Sequence, residues 1–156
     1  MASGVQVSDE VKDLITDIKL QRSEPMQHIR VAAFKIKDGF ILKDEVVRQA
    51  DLVGDDAFLA FKGLLDPKRC RYILYDCHFD TKESSNKKEL VFVLWCPETG
   101  CVKDKMAFAS SKDALKKCMT GIKHNLQMNE PSDCGDRHAF AGLVAKDITS
   151  LEGVNV

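Results

Sequence analysis

Apolar residues recur at helical spacing near the start of the chain. One helical face is marked by residues at i, i+3, i+4 and i+7, namely Val11, Leu14, Ile15 and Ile18. Ser8 directly precedes this pattern, and serine is a favoured N-terminal cap because its hydroxyl accepts a hydrogen bond from the first turn. Residues 1–7 are short, small and polar, so we expect a flexible N-terminal arm before this first helix.

Denser apolar runs predict a β-sheet. Four segments rich in β-branched and aromatic residues have the pattern of strands: 29–36, 40–47, 71–79 and 90–95. Lys37-Asp38-Gly39 separates the first two and predicts a hairpin. The last of the four is apolar on both faces, as expected for a central strand. Between the last two strands, the polar segment 81–88 predicts an exposed hairpin tip.

The most informative element is a long helix predicted from about 103 to 120, with Gly121 as its C-terminal cap. At 100° per residue, Lys112 and Lys116 each lie about 20° from Lys105, on opposite sides of it, so the three form a basic stripe, separate from an apolar stripe. Residues 101–128 contain six lysines and two aspartates, a net charge of +4. The stripe is either a solvated face or a docking surface for an acidic protein or anionic lipid headgroups.

The remaining patterns are shorter. They predict a helix opened by Asp55-Asp56 and stopped by Asp66-Pro67, an edge strand at 124–128, a loop at 131–135, and a brief helix at 137–145 before a polar tail. Helices interspersed with strands predict a single α/β domain over residues 1–156, a mixed central sheet with helices packed on both faces.

Composition narrows the possible functions. The 156 residues are 44% hydrophobic and 30% charged, as in globular proteins, and the net charge of −1 provides no global attraction to nucleic acid. The sequence has no apolar run long enough for a transmembrane segment and no export signal, so we expect a cytoplasmic protein. In that compartment the six cysteines are expected to be reduced thiols.

Catalytic and metal-binding motifs are absent from the sequence. There is no phosphate-binding loop, no dinucleotide fingerprint, no zinc-protease helix and no CxxC pair, so no catalytic residue, metal or cofactor is predicted. A thiol enzyme with a cysteine and a histidine that meet in space stays open as an alternative. His28, His78 and His138 have no motif around them and are interpreted as structural or surface residues.

Six sequence motifs together resemble the actin-depolymerising factor/cofilin family. They are MASGV at 1–5, CRYILYD at 70–76, ELVFVLWCPE at 89–98, KDKMAFASSKDALKK at 103–117, TGIKHNLQ at 120–127 and SLEG at 150–153. The resemblance runs from end to end. It implies one actin-depolymerising-factor homology domain, a mixed sheet of five or six strands with helices on both faces. It also implies a non-enzymatic, cytoskeletal protein that binds actin monomers and filament sides, prefers ADP-actin, and promotes filament severing and depolymerisation.

The resemblance also assigns roles to residues. Contacts to actin are expected from Ser3, Gly4, Val5, Lys103, Lys105, Met106, Ser111, Lys112, Asp113, Lys116 and Lys117. Filament-side contacts are expected from Lys82, Lys87, Lys88 and Arg137. Phosphorylation of Ser3 would inhibit the protein, and phosphoinositides would compete for the same lysines. His124 and Glu89 would form a pH-sensitive pair, and the protein is expected to act as a monomer.

The sequence departs from the family in two places. Where relatives carry an acidic and a basic residue on the last helix, this chain has Gly142 and Leu143, with Arg137 and Lys146 as the nearest charges. Near Arg30 it lacks the basic run that resembles a nuclear import signal in vertebrate members. Nuclear entry driven by this segment is therefore not expected. The altered last helix leaves open a coactosin-like protein that decorates filaments, and the basic stripe that includes Lys112 and Lys116 leaves open a phosphoinositide-binding module.

Overall fold

The computed structural model describes residues 4–20, 24–52, 54 and 56–156. Over these residues the strands are β1 (Gln6–Val7), β2 (Ile29–Lys37), β3 (Phe40–Arg48), β4 (Arg71–Thr81), β5 (Lys87–Trp95), β6 (His124–Met128), β7 (Ile148–Leu151) and β8 (Val154–Asn155). The α-helices are α1 (Asp9–Leu20), α2 (Ala57–Gly63), α3 (Val102–Lys116), α4 (Pro131–Cys134) and α5 (Arg137–Val144). None of the helices described is long and apolar enough to cross a membrane. Ser3 and Asp55, both used in the sequence predictions, lie outside the described residues.

The strands form one mixed sheet in the order β1-β3-β2-β4-β5-β6. The pairs β1–β3 and β5–β6 are parallel, and the pairs between them are antiparallel. This confirms the predicted α/β fold with a mixed sheet. The short strands β7 and β8 extend the sheet from the end of β4. The segment that the sequence analysis interpreted as a polar tail therefore belongs to the sheet.

Helices cover both faces of the sheet, because alternate residues of each strand point to opposite sides. On β4, Tyr72 and Leu74 point to the face covered by α1 and α3, whereas Ile73 and Tyr75 point to the face covered by α2 and α5. Both sides of β4 and β5 are buried, as predicted for a central strand. The sheet therefore lies between two helical layers, with one hydrophobic core on each of its faces.

The turn residues and helix caps named in the sequence analysis have their predicted roles in the structure. Asp38 and Gly39 both have positive φ, 53° and 80°, which is the requirement of the two-residue turn that matches the twist of a hairpin. The Ser8 hydroxyl accepts a hydrogen bond from the Val11 amide at 3.3 Å and caps α1. The Asp56 carboxylate accepts hydrogen bonds from the first amides of α2. The predicted hairpin and both helix starts are therefore confirmed.

The end of the predicted arm is ordered by the β2–β3 hairpin. The Gln6 amide donates to the Gly39 carbonyl at 3.0 Å, and the Ser8 amide donates to the Ile41 carbonyl at 3.2 Å. Gln6–Val7 is thus a short strand rather than part of a flexible arm, because the hairpin edge supplies backbone hydrogen bonds to it. The arm proper ends at residue 5.

A buried charge cluster fastens the C-terminal strands to the sheet. Arg30 is 3% exposed, and its Nη2 donates to the Glu152 carboxylate at 2.6 Å. Its Nε and Nη2 also donate to the Asp76 carbonyl, at 3.3 and 3.2 Å. Glu152 occupies the turn between β7 and β8 and accepts a further hydrogen bond from the His78 amide at 2.7 Å. The guanidinium and carboxylate are therefore paired and hydrogen-bonded, as burial of charge requires.

Candidate functional site

Helix α3 presents one face to the core and the opposite face to solvent. Phe108, Ser111 and Leu115 are its buried residues. The Tyr72 hydroxyl donates a hydrogen bond to the Phe108 carbonyl and ties the helix to the sheet. The spacing of three and four residues between these positions sets the inward direction of the helix.

An apolar ridge points directly away from that core. Val102 and Met106 are 69% and 67% exposed, one turn apart on α3. At 100° per residue, the centre of this pair lies about 170° around the axis from the buried face. Two large apolar side chains exposed one turn apart form a small apolar patch on the solvent side of α3, which is a candidate contact for a partner. The sequence analysis identified Met106 and missed Val102, whose signal is its position four residues before Met106.

Lysines flank the ridge on both sides. The basic stripe of Lys105, Lys112 and Lys116 lies about 80° from the ridge on one side, and Lys103 and Lys117 lie on the other. Lys105 and Lys112 are partly buried, whereas Lys103, Lys116 and Lys117 are exposed. The Lys105 Nζ donates to the Glu98 carbonyl at 2.7 Å, which holds this side chain against the loop before α3. The exposed face of α3 thus combines an apolar centre with cationic borders.

Ser111 does not belong to this exposed face. It is 1% exposed and lies on the inward side of α3 between Phe108 and Leu115. The expectation that Ser111 contacts actin directly is wrong for this conformation, because the helical period turns it into the core. Asp113, two residues further on, is exposed and lies in line with the ridge.

The predicted C-terminal end of α3 also differs. The helix ends at Lys116, and residues 117–120 continue as turns in which the Cys118 amide donates to the Leu115 carbonyl. Gly121 has a φ of +86°, so it provides the left-handed residue that turns the chain into β6. Met119 stays buried beneath these turns. Gly121 correctly predicted a change of chain direction, but the predicted helix end at 120 is four residues later than the observed end at Lys116.

The N-terminal arm approaches the same helix. Strand β1 packs beside α3, and Val5 packs against the core that α3 covers. Gly4, directly before it, is exposed and has a φ of +83°. The described part of the arm and α3 are therefore neighbours, although they are about a hundred residues apart in sequence. Ser3 is the next residue toward the N terminus.

The lysines predicted for filament contact lie at the end of the sheet that is opposite to the β2–β3 hairpin turn and the N-terminal arm. Lys82 and Lys88 are exposed at the β4–β5 hairpin. The Lys87 Nζ lies 5.8 Å from the centre of the Phe79 ring and 3.9 Å from the Glu89 carboxylate, so this side chain turns back onto the sheet. Lys82 and Lys88 are consequently the more accessible pair.

Arg137, the fourth predicted filament contact, is engaged within the molecule. Its Nη2 donates to the Asp56 carboxylate at 2.6 Å, and its Nη1 donates to the same carboxylate and to the Leu151 carbonyl. The guanidinium carbon also lies 4.9 Å from the centre of the Phe58 ring. The hydrogen bond and charge of Arg137 lower the pKa of Asp56. These contacts join α5 to the cap of α2.

His124 and Glu89 form the pair that the sequence analysis anticipated. The His124 Nε2 lies 2.7 Å from the Glu89 Oε1, where β5 and β6 run side by side, and both side chains are largely buried. The hydrogen bond from His124, opposed in part by burial, lowers the pKa of Glu89. The Lys123 and Lys87 ammonium groups lie 3.7 and 3.9 Å from the same carboxylate and add to this effect.

Metal binding and thiol chemistry would depend on the cysteine, histidine and carboxylate side chains of the described residues. They contain no group of three or more His, Cys, Asp or Glu side chains that could hold a metal ion. All six cysteines are free thiols. Burial raises the pKa of the Cys70 thiol to about 12 and of the Cys134 thiol to about 11, which keeps both protonated and weakly nucleophilic.

Several known proteins are similar to this chain. Residues 4–139 match the family model of cofilin/tropomyosin-type actin-binding proteins. The cofilin of Streptomyces griseoflavus is 26% identical, with a TM-score of 0.72, and the match covers 91% of this chain and 100% of that one. The actin-depolymerising factor of Toxoplasma gondii is 30% identical, with a TM-score of 0.58, covering 92% and 99%. Human coactosin-like protein shares the fold at 8% identity, with a TM-score of 0.69 and coverage of 90% and 98%.

The matched region includes all of α3, β1 and the β4–β5 hairpin, so the exposed face of α3 lies within the part of the chain that the family model describes. Members of this family bind actin and are not enzymes. The family model extends over most of the chain. This chain therefore belongs to the family of cofilin/tropomyosin-type actin-binding proteins.

Proposed function

We propose that this protein binds actin monomers and the sides of actin filaments, prefers ADP-actin, and promotes filament severing and depolymerisation. The observation that carries the proposal is the apolar ridge of Val102 and Met106, which points away from the core of α3 between two rows of lysines. The neighbouring arm, with Gly4 and Val5, extends the same surface. Apolar contacts at the centre supply affinity, and the surrounding charges supply orientation and association rate.

Within this surface, Lys103, Lys105, Lys112, Asp113, Lys116 and Lys117 have the role of charged contacts. Lys103, Lys116 and Lys117 are exposed, so they can pair with acidic groups of actin with little rearrangement. Lys105 reaches the partner only after giving up its hydrogen bond to the Glu98 carbonyl. The exposed lysines are therefore expected to contribute more to binding than Lys105 does.

The filament-side contact is proposed for the β4–β5 hairpin, through Lys82 and Lys88. Lys87 and Arg137 contribute less, because Lys87 lies over Phe79 and Arg137 is paired with Asp56. On α5 the exposed positions include Gly142 and Leu143, the latter 46% exposed. The last helix thus offers little free charge to a second actin subunit, which favours filament decoration with weak severing as the second candidate function.

Phosphorylation of Ser3 is proposed to inhibit binding. A phosphate group adds roughly −1.5 to −2 charge at pH 7. Ser3 directly precedes Gly4 and Val5 in the sequence, so a phosphate on it would add negative charge to the arm segment of the proposed actin contact. Anionic phosphoinositide headgroups are proposed to compete for the same lysines, so lipid and actin would bind in mutually exclusive fashion.

The His124–Glu89 pair is proposed to make activity depend on pH. The two groups join β5 to β6 just after the turns that follow α3. The hydrogen bond from His124 lowers the pKa of Glu89, so protonation of this carboxylate as the pH falls would weaken the link. The control variant Glu89→Gln keeps the shape of the side chain and removes its charge.

Microscopy of labelled ADP-actin filaments tests the proposal. Wild-type protein is compared with Ser3→Glu and with a Lys103→Ala/Lys116→Ala variant, both expected to abolish most severing. A Lys12→Ala/Lys68→Ala variant removes two exposed lysines elsewhere and serves as the charge-matched control. The proposal is supported if the wild type and the lysine control sever filaments and the other two variants do not. Binding without severing favours decoration, and absence of actin binding, with binding to phosphoinositide vesicles, favours a lipid-binding module.

A further inference from the structure

Two cysteines face each other where β4 begins and β5 ends. The last residue pair of the antiparallel β4–β5 ladder is Arg71 with Trp95. Cys70 directly precedes Arg71 and Cys96 directly follows Trp95, so the two cysteines occupy the next opposed positions. Both belong to the core beneath α1 and α3, where they are 3% and 7% exposed. The sequence analysis considered these cysteines only as unpaired core thiols, because their separation of 26 residues has no motif.

The geometry of these positions suits a disulfide. Directly opposed residues of antiparallel strands have Cα atoms roughly 4.5–5.5 Å apart, and disulfides span Cα distances of roughly 4.4–6.8 Å. The Cys70 and Cys96 side chains each shift the pKa of the other, as neighbouring thiols do. Of the other cysteines among the described residues, Cys77 and Cys134 lie in the opposite core, Cys101 is exposed, and the Cys118 thiol donates to the Ala114 carbonyl at 3.8 Å.

We propose that Cys70 and Cys96 form an oxidation site at which a peroxide closes a cross-strand disulfide. The thiolate of one cysteine attacks the peroxide, the O–O bond breaks, and a sulfenic acid forms with release of water or an alcohol. The second thiolate then attacks the sulfenic sulfur, the S–S bond forms, and water leaves. The two thiols lose two electrons and two protons, and the peroxide takes up both.

Burial controls the rate of this reaction. It raises the pKa of the Cys70 thiol to about 12 and also raises that of Cys96, while the nearby ammonium group of Lys105 opposes the shift at both. Because the thiolate is the reactive form, closure is slow near neutral pH and becomes faster as pH rises. Lys105 belongs to the first turns of α3, so the thiol pair lies beneath the start of that helix.

The disulfide is expected to stabilise the fold. It closes the loop of residues 70–96, which contains β4, the hairpin tip and β5. Restricting a loop of this length in the unfolded chain is expected to raise the Tm by roughly 5–15 °C for a domain of this size. This inference goes beyond actin binding and does not depend on it.

The test treats the folded protein with hydrogen peroxide at pH 8.5, followed by peptide mapping without reduction and by thermal unfolding. A Cys70–Cys96 linked peptide and a raised Tm that returns to its original value on reduction are the expected results. Cys96→Ala should show no rise, and Cys101→Ser, which removes an exposed thiol, should behave as wild type. If Cys70 and Cys96 stay unlinked while Cys101 is oxidised, or if either pairs with another cysteine, the proposal is wrong. The mapping result on wild type decides the matter even if Cys96→Ala is poorly folded.

Discussion

Replacement of Met106 by alanine isolates the apolar part of the proposed actin contact. The side chain is 67% exposed and points away from the core, so its removal leaves the packing of α3 intact. Alanine is also the best helix former, so the helix itself is not weakened. Any loss of actin binding by Met106→Ala therefore reports on the contact with the partner rather than on the fold.

The magnitude follows from the exposed fraction. Full burial of a methionine side chain is worth roughly 1.5–3 kcal/mol. About two thirds of this side chain is open to solvent and available for burial by a partner. We therefore expect Met106→Ala to cost about 1–2 kcal/mol of binding free energy, which is a 5- to 30-fold increase in Kd.

The assay is titration of fluorescently labelled ADP-actin monomers, with thermal unfolding of each variant as a check on the fold. The matched control is Leu59→Ala, because Leu59 is 58% exposed on α2, on the other side of the sheet. The control should bind actin with unchanged Kd. Equal affinity of Met106→Ala and wild type, or equal losses in both variants, would refute the assignment of this ridge as the actin contact.

Three further predictions concern charge and placement. Glu89→Gln should lower the free energy of unfolding at pH 6.5 by roughly 1–2 kcal/mol. Because the pKa of Glu89 is lowered in the folded protein, this difference should shrink as the pH falls through that lowered pKa, as urea unfolding across pH would show. Arg137→Gln should lower the free energy of unfolding by roughly 1–3 kcal/mol, since the Asp56 carboxylate loses its guanidinium partner, whereas Lys146→Gln at an exposed position should have no measurable effect in the same urea assay. Ser111→Arg should lower the Tm by several degrees in calorimetry, because it forces a charge into the core, and an unchanged Tm would contradict the inward position.

Local patterns predicted most of the fold. The i, i+3, i+4 spacing identified α1, and Asp38-Gly39 identified the hairpin, because each signal acts over a few neighbouring residues. Strands β7 and β8 escaped prediction because they are only four and two residues long and are stabilised by pairing with β4. A segment of that length carries too few alternating positions to mark a strand without its partner.

The candidate functional site was predicted less completely than the fold, because the direction in which a side chain points depends on how the whole molecule packs. The family resemblance identified the residues of α3, but it counted Ser111 among the surface residues. Only the packing of α3 against the core shows that this side chain is buried. The resemblance also counted Arg137 among the filament contacts, whereas its guanidinium is paired within the molecule. Its partner Asp56 lies 81 residues earlier, a separation over which sequence spacing predicts nothing.

The buried pair of Arg30 and Glu152 limits how the chain can be shortened or extended. Glu152 is the fifth residue from the C-terminal end of the sequence, yet its carboxylate is 1% exposed and neutralises a guanidinium in the sheet. Deleting Glu152 and the residues after it would remove the carboxylate that lies 2.6 Å from the Arg30 guanidinium and leave the more distant carboxylate of Asp76, at 4.0 Å, a loss of roughly 3–5 kcal/mol. The segment that carries Glu152 between β7 and β8 is thus an integral part of the folding unit, and an affinity tag placed after it needs a spacer that leaves β8 free to pair with β7.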